Sequence, residues 1–276
     1  MSVNLSATEQ LAFSTVRIVG YTAEEKCVTG TGFFFQLLEK DNTLVPVIIT
    51  NKHVVTSMTK GGFILTTADP EGNPTYTDHF TVQFDDFERH WKYHPDPDVD
   101  LCAMPIAPIL RVAEERKQAL FFRTLNSKLF PTQQQRQDFD LLEEILMIGY
   151  PNGIWDASNN MPIFRRGTTA THPNMNYNGK QEFLIDVACF PGSSGSPVFI
   201  YNASAYTTKT GTMVVGGRRV ILLGVLYAGP QHTATGEIQI ITVPNLHQPV
   251  AVSRIPNNLG IVIKSDRILE LEQLFK

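Results

Sequence analysis

Short runs of β-branched and aromatic residues recur along almost the whole chain, and this pattern restricts the fold more than any other feature. STVRIVGYT, TGFFFQLLE and VPVIITNKHVV follow one another early in the sequence, each broken by Gly, Asp or Asn. Such runs are typical of strands that end in turns. The 19 glycines and 17 prolines are scattered rather than clustered. The pattern predicts an all-β protein, with a small closed or half-closed antiparallel barrel in its first third.

The composition changes in the middle of the chain. RVAEERKQALFF and TQQQRQDFDLLEEI are rich in helix formers and polar residues, and strand-like runs resume after them. We therefore expect an N-terminal β-barrel over residues 1–106, a partly helical linker over 107–143, and a C-terminal β-barrel over 144–276. The last run, GIVIKSDRILELEQLF, predicts a final strand and a C-terminal helix, with Ser265 or Asp266 as the N-cap.

The charge balance argues against a polyanionic partner. The formal net charge is -4 and the isoelectric point is about 6.0, whereas phosphate binding needs a surplus of Lys and Arg. We expect no nucleic-acid partner. The N-terminus lacks a basic start followed by an apolar run, and no stretch of about 18 apolar residues occurs. The sequence thus predicts a protein with no membrane partner and a cytoplasmic location.

The three cysteines, Cys27, Cys102 and Cys189, are an odd number without metal-ligand spacing. We expect reduced, buried thiols and no metal site. Cys189 is an alternative catalytic thiol, but a Gly-X-Ser-Gly segment just downstream contains a better nucleophile.

Ser194 is the leading candidate nucleophile. It lies in FPGSSGSPVF, between small residues and directly before a strand-like run. Glycines at 192 and 195 allow a tight turn that can point the amides of Gly192 and Ser194 into one cavity, where they would hold the negative oxygen of a tetrahedral intermediate. An ordinary Gly/Ser hairpin loop is the alternative interpretation.

A serine nucleophile needs an imidazole to take its proton and a carboxylate to orient that imidazole. His53 follows the apolar run VPVIITN, which places it where a strand ends at a barrel rim. Asp100 stands where a charged loop becomes an apolar strand, so its carboxylate can be half-buried and still accept hydrogen bonds. Asp96 and Asp98 are rivals, but they lie deeper in the loop, where we expect them to be solvated.

Five segments in order resemble the trypsin-like proteases. The three catalytic blocks of that family resemble residues 50–55 (TNKHVV), 100–103 (DLCA) and 192–197 (GSSGSP). Residues 148–153 (IGYPNG) are similar to the family's Gly-Tyr-Pro turn, and residues 258–263 (NLGIVI) to the strand that closes its second barrel. The likeness is closest to disulfide-poor bacterial members, such as the high-temperature-requirement proteases and the glutamyl endopeptidases.

This resemblance implies a chymotrypsin-like fold of two antiparallel six-stranded β-barrels. It implies a serine endopeptidase that cleaves protein or peptide substrates with His53, Asp100 and Ser194 as its catalytic triad. The reaction requires no metal and no organic cofactor. A catalytically weak binding or scaffold protein of the same fold is the alternative function. An α/β-hydrolase esterase fits poorly, because it needs Gly-X-Ser-X-Gly and a histidine late in the chain.

The chain departs from the family's digestive zymogens next to the candidate nucleophile. The segment Arg-Ile-Val-Gly at 17–20 imitates their activation site, but Ser193 stands where they carry the Asp that pairs with the freed amino group. A buried ammonium without that carboxylate would be costly. We therefore expect residues 17–20 to form the first strand and the enzyme to need no cleavage after Arg17.

The resemblance also places the specificity pocket. Two segments would build it, with the substrate-binding residues Ala188, Phe190 and Pro191 in one and Tyr227, Ala228 and Gly229 in the other. Ala188 stands where enzymes with basic specificity carry an Asp, and Leu226 where glutamyl endopeptidases carry a His. We expect a preference for small or medium apolar residues before the scissile bond.

Overall fold

The computed structural model describes residues 3–39, 44–228, 231–235, 252–256 and 258–276, with the backbone alone described for 228, 231–235 and 252–256. Strands dominate this part of the chain, as the sequence predicts. They are β1 (Thr15–Thr22), β2 (Cys27–Leu37), β3 (Val45–Thr50), β4 (Met58–Ala68), β5 (Pro74–Asp85), β6 (Lys92–Tyr93), β7 (Cys102–Pro105), β8 (Leu120–Phe121), β9 (Glu144–Gly149), β10 (Ile163–Thr169), β11 (Glu182–Asp186), β12 (Pro197–Asn202), β13 (Ala205–Thr207), β14 (Met213–Val215), β15 (Arg219–Ala228), β16 (Gln231–Thr235), β17 (Val252–Pro256) and β18 (Leu259–Lys264).

The helices of the described residues are short, and most of them lie between strands. The α-helices are α1 (Ala7–Ala12), α2 (Lys52–Val55), α3 (Ala107–Glu115) and α4 (Gln133–Asp138), and the 3₁₀ helices are Phe87–His90, Ser127–Leu129, Pro151–Gly153 and Ser265–Leu274. Capping boxes start α1 and α4, where Ser6 and Thr132 each accept a bond from the third helical amide. No helix among the described residues is long and apolar enough to cross a membrane.

The first sheet contains eight strands, in the order β5-β4-β1-β2-β3-β7-β6, with β8 attached to β4. The prediction of six strands was too low here, because the short strands β6 and β8 extend the sheet at two points. The second sheet is a closed barrel of six strands, β10-β11-β18-β15-β12-β9, as predicted. The chymotrypsin-like, mostly β fold is therefore confirmed, whereas the domain boundaries at 106 and 143 stay a prediction.

Alternating side chains of β2 hold the two sheets together. Phe34 points into the core of the first sheet, whereas Phe33 and Phe35 point into a second core, as the two-residue period of a strand requires. That second core also contains Ile148 and Phe199 from the closed barrel. Because both sheets contribute to it, the loops at their edges are held in fixed positions around one cleft.

The end of the chain is helical, as predicted, but its N-cap differs from the prediction. Residues Ser265–Leu274 form a 3₁₀ helix, and the N-cap is Lys264, with no side-chain cap. The prediction of Ser265 or Asp266 as N-cap was wrong. The segment packs as expected for an amphipathic helix, because Ile268 and Leu271 lie fully buried in the core shared by the two sheets.

Candidate active site

Strand pairing brings His53 and Asp100 together. Strand β3 pairs with β7, with Thr50 opposite Cys102. His53 lies on α2 just after β3, and Asp100 lies just before β7. The Asn51 side-chain amide donates to the Asp100 carbonyl at 2.7 Å. Neighbouring strand ends therefore carry the two candidate residues to the same point.

The Asp100 carboxylate holds His53 by two hydrogen bonds. Oδ2 lies 2.5 Å from the ring atom Nδ1, and Oδ1 accepts from the His53 backbone amide at 3.1 Å. The His53 side chain is 49% exposed and that of Asp100 is 22% exposed. No hydrogen bond to Nε2 occurs within the described part of the chain. Asp100 thus orients the ring through Nδ1, while Nε2 has no protein partner in this part of the chain.

The rival carboxylates have other positions. Asp96 forms an ion pair with Arg267, with 2.7 Å between Oδ2 and Nη2, and hydrogen bonding to that guanidinium lowers the pKa of Asp96. Asp98 is exposed, and its backbone amide donates to Asp96. The Asp96 side chain is 42% exposed, so both carboxylates remain accessible to solvent. Neither of the two contacts His53.

We define the aspartate loop as residues 94–101. Its first residue, His94, is buried and donates its backbone amide to the Leu101 carbonyl at 2.9 Å. The Lys52 ammonium, next to His53, donates to the Asp96 carbonyl at 3.0 Å. These bonds tie the loop to α2 and, through Arg267, to the C-terminal 3₁₀ helix.

We define the serine loop as residues 188–196. Its glycines adopt positive φ angles, +86° at Gly192 and +88° at Gly195, a region that favours glycine. A Cβ atom at Gly192 would lie 2.6 Å from the Tyr150 carbonyl oxygen, and one at Gly195 would overlap the Thr31 carbonyl oxygen. The sequence therefore needs glycine at both positions for space as well as for conformation.

Ser194 lies near the C-terminal end of this loop, and some of the polar groups around it have no protein partner. Its carbonyl accepts from the Thr31 amide at 2.9 Å, and its hydroxyl lies 3.4 Å from the Tyr227 carbonyl. Among the described residues, no hydrogen bond joins this hydroxyl to His53, and the amides of Gly192 and Ser194 donate to no protein acceptor. The turn thus presents two free donors beside a hydroxyl.

Thr31 links the two halves of the site. Its hydroxyl donates to the Gly192 carbonyl at 2.9 Å and accepts from the Tyr150 amide at 3.0 Å. Its carbonyl accepts from the Thr50 hydroxyl at 2.7 Å, three residues before His53. Sequence reasoning missed this residue, because a threonine between two glycines in a strand carries no functional signal.

The expected pocket residues lie around the serine loop. Ala188 and Phe190 are half-buried and Pro191 is exposed. Tyr227 is half-buried at the end of β15, and burial, with the carboxylates of Glu182 and Asp100, raises the pKa of its phenol. Ala228 is the last residue of β15, and only its backbone is described. Gly229 lies outside the described residues. The sequence did not predict that the Arg165 guanidinium lies over the Phe190 ring, 5.0 Å from its centroid.

All three cysteines are free thiols. Burial raises the pKa of Cys189 to about 11 and that of Cys102 well above its ordinary value. A thiol with a raised pKa is a poor nucleophile at neutral pH, and this argues against Cys189 as the alternative nucleophile. The prediction that all three are buried was wrong for Cys27, which is exposed at the start of β2. No group of three potential metal ligands occurs in the described ranges.

The segment 17–20 lies inside β1, as expected, and pairs with β2 on one side and β4 on the other. Ser193 is 1% exposed, and its hydroxyl accepts from the Phe190 amide at 3.4 Å. The position that carries a carboxylate in the zymogens is thus filled by a neutral, buried side chain.

A comparison with protein-family models agrees with this architecture. The family model of the trypsin-like peptidase domain matches residues 30–205. The search of curated proteins finds no significant match. Solved structures with a similar chain course include a serine endoprotease from Yersinia pestis, at 14% identity and a TM-score of 0.49 over 99% of this chain and 67% of that one. An active-form protease from M. tuberculosis shows 13% identity and a TM-score of 0.45 over 98% and 88%.

A further similar structure is the HtrA-type protease AlgW with a tripeptide, at 14% identity and a TM-score of 0.46 over 95% of this chain. This chain spans 60% of the length of that protein. The chymotrypsin-like fold and the matched domain define a serine endopeptidase, a hydrolase of peptide bonds. The chain belongs to the trypsin-like peptidase family, since the matched region covers more than half of it.

Proposed function

We propose that the chain cleaves proteins or peptides with Ser194 as nucleophile, His53 as general base and Asp100 as the group that orients His53. The observation that carries this proposal is the bond between Asp100 Oδ2 and His53 Nδ1, 2.5 Å long. It fixes the tautomer in which Nε2 is free to accept a proton and stabilises the imidazolium that follows.

In the first step, the Ser194 oxygen attacks the scissile carbonyl carbon while its proton moves to His53 Nε2. The carbonyl oxygen becomes an oxyanion, which the amides of Gly192 and Ser194 bind. Their lack of protein acceptors supports this role, because the donors need not break other bonds to reach the oxyanion. The C–N bond then breaks as His53 gives its proton to the leaving amine. A water molecule, activated by His53, hydrolyses the acyl-enzyme.

The hydroxyl of Ser194 must turn from the Tyr227 carbonyl toward His53 for this chemistry. At 3.4 Å the bond to Tyr227 is long, so rotation about the Cα–Cβ bond costs little. Thr31 supports the proximity of the two residues, because it bonds to Ser194 on one side and to Thr50, at the end of β3 just before α2, on the other.

We also infer that the enzyme does not prefer basic residues before the scissile bond. Ala188 brings no negative charge to the pocket, and Arg165 lies over Phe190 at its wall. A fixed positive charge there disfavours Lys and Arg. On matched peptides, we expect Ala, Val or Leu at that position to be cleaved at least about tenfold faster than Arg or Lys. Faster cleavage after Arg would contradict this inference.

A fluorophosphonate probe tests the nucleophile. It should label the wild-type protein, and the label should map to Ser194. The Ser194→Ala variant should remain unlabelled, whereas Ser193→Ala, a change in the adjacent serine, should retain labelling. Absence of labelling in a folded wild-type protein would favour the alternative of a binding module without turnover.

A further inference from the structure

Arg17 carries a positive charge that nothing in the described part of the chain neutralises. Its side chain is half-buried, it forms no ion pair there, and its Nε is buried without a hydrogen-bond partner. Burial lowers its pKa, and the ionisable groups that act on it are Cys27, Tyr150 and Tyr21. None of these three side chains is a carboxylate. A partly desolvated cation without a partner is costly, so a ligand that supplies an anion would relieve this cost.

The position of Arg17 relates it to the proposed nucleophile. In the β1–β2 pair Arg17 stands opposite Thr31, and Thr31 donates to the Ser194 carbonyl at 2.9 Å. The expected pocket borders Ser194 from the serine loop and from Tyr227 on β15, and it would hold the residue before the scissile bond. Arg17 is on the β2 side of Ser194, and we assign this side to the residues after the scissile bond, because the expected pocket holds the residue before it.

The guanidinium is held in a defined orientation. Its Cζ lies 3.9 Å from the centroid of the Trp155 ring, a contact in which the ring covers one face and leaves the N–H edge free. Gly153 makes room beside it, since a Cβ there would lie 3.2 Å from Arg17 Nη2. The free edge of a planar guanidinium matches a carboxylate with two parallel hydrogen bonds.

Arg17 is also reachable from solvent. It borders an open groove of about 400 Å³ across β1, β4 and β5. Lys60 adds a second cation to the lining of this groove, and Asp85, opposite Lys60 in the β4–β5 pair, adds one carboxylate. We expect a bound peptide substrate to follow this groove past Arg17.

We propose that Arg17, oriented by Trp155, binds a carboxylate of the substrate on the leaving-group side. The ligand is an Asp or Glu side chain within the first three residues after the scissile bond. This inference rests on the proposed function and adds a substrate preference to it. It makes Arg17 a specificity-determining residue that acts by charge and by paired hydrogen bonds.

Fluorogenic peptides test the inference. One parent sequence is made with Glu or Gln at each of the first three positions after the cleaved bond, and kcat/KM is measured for each pair. At one position the wild-type enzyme should prefer Glu by about tenfold. The preference should shrink when the salt concentration is raised from 0.05 to about 0.5 M, because ions screen a half-exposed charge pair.

Arg17→Gln should reduce the Glu/Gln ratio to about 1, and Arg17→Lys should retain part of it. Arg89→Gln is the matched control, since Arg89 lies in the 3₁₀ helix Phe87–His90, has a side chain that is 83% exposed and pairs with Asp86; it should leave the ratio unchanged. Melting temperatures show that the variants are folded, and the salt dependence of the wild-type ratio tests the inference even if Arg17→Gln does not fold.

Three results would overturn the inference: a wild-type ratio near 1 at all three positions, a ratio that survives in Arg17→Gln, or a variant that slows Glu and Gln peptides equally. Failure of the proposed function looks different, because the wild-type protein would then cleave none of the peptides and would not react with the fluorophosphonate.

Discussion

The aspartate loop and the serine loop meet at one cleft but are held in different ways. Side chains brace the aspartate loop, with Lys52 and Arg267 bonded to Asp96. Backbone packing holds the serine loop, whose Gly192 and Gly195 lie against carbonyl oxygens of neighbouring segments. The first loop has its hydrogen-bonding groups largely paired, whereas the second keeps two amides free. In the proposed reaction, this difference separates a loop that must hold His53 in a fixed position from a loop that must bind the negative oxygen of the substrate.

The two loops should therefore tolerate different substitutions. In the aspartate loop, a substitution that keeps size but removes charge or a hydrogen bond should be the harmful one. In the serine loop, a substitution that adds volume should be the harmful one.

The largest effect is expected for Asp100→Asn, which keeps the shape of the side chain. An amide cannot stabilise the imidazolium and favours the wrong His53 tautomer, so kcat should fall by about 10⁴-fold. Steady-state kinetics on a peptide substrate measure this loss. Asp98→Asn, in the same loop but exposed and without contact to His53, should change kcat by less than about twofold. A mild loss in Asp100→Asn would show that the pair is only structural.

Gly195→Ala should destabilise the serine loop because the added methyl group has no space. Its Cβ would overlap the Thr31 carbonyl oxygen, and φ is +88°. We expect the free energy of unfolding to decrease by about 3 kcal/mol, because the clash and the backbone strain act together. Urea unfolding measures the change. Gly211→Ala is the matched control, because its φ is +84° but no atom lies within 4 Å of the added Cβ. It should cost only about 1 kcal/mol. Equal losses would mean that conformation, and not packing, requires glycine at 195.

Local patterns predicted the candidate triad because each member lies where a strand meets a turn. Ser194 needs two glycines beside it, and His53 and Asp100 flank strands that pair directly. Such constraints depend on a few neighbouring residues, so a short sequence pattern is enough to predict them. The side-chain rotamer of Ser194 cannot be predicted in this way, because it depends on Tyr227, which is distant in sequence.

The features that sequence reasoning missed arise from packing between distant segments. Arg17 looked like an ordinary strand residue, and only the fold places Trp155 over it. The expectation of a buried Cys27 failed because it begins β2 at an exposed end. The eight strands of the first sheet depend on two-residue strands, β6 and β8, which are too short to show any periodicity.

Thr31→Val should show that the serine loop also depends on one side chain from the first sheet. Valine keeps the shape but leaves the Gly192 carbonyl and the Tyr150 amide without the partner that Thr31 provides. We expect a loss of about 2 kcal/mol in the free energy of unfolding. Because the Gly192 carbonyl helps to set the orientation of the oxyanion-binding amides, kcat should also fall, by about tenfold. Thr31→Ser retains the hydroxyl and should recover most of the activity; equal defects in both variants would assign the effect to the methyl group instead.

The smallest effect concerns the pH dependence of the aspartate loop. His94 is buried; its Nδ1 accepts from the Asp96 amide at 3.1 Å and its Nε2 lies 3.2 Å from the Arg267 carbonyl. It is therefore neutral, and burial lowers its pKa, although Glu270 opposes this shift and Arg267 adds to it. The unfolded chain takes up a proton near pH 6.5, before the folded protein does. His94 thus makes the free energy of unfolding decrease as the pH falls below about 6.5, until the lowered folded pKa is reached.

His94→Gln removes this proton uptake while offering a donor and an acceptor of similar reach. Between pH 7.5 and 5.5, its free energy of unfolding should decrease less than that of the wild-type protein, by an amount on the order of 1 kcal/mol or less. Burial also lowers the pKa of His172, which belongs to neither loop. His172→Gln should therefore flatten the stability curve but leave the pH profile of kcat/KM unchanged, whereas His94→Gln should alter both. If the two variants gave the same kcat/KM profile, the bracing of the aspartate loop by His94 would have no bearing on the reaction.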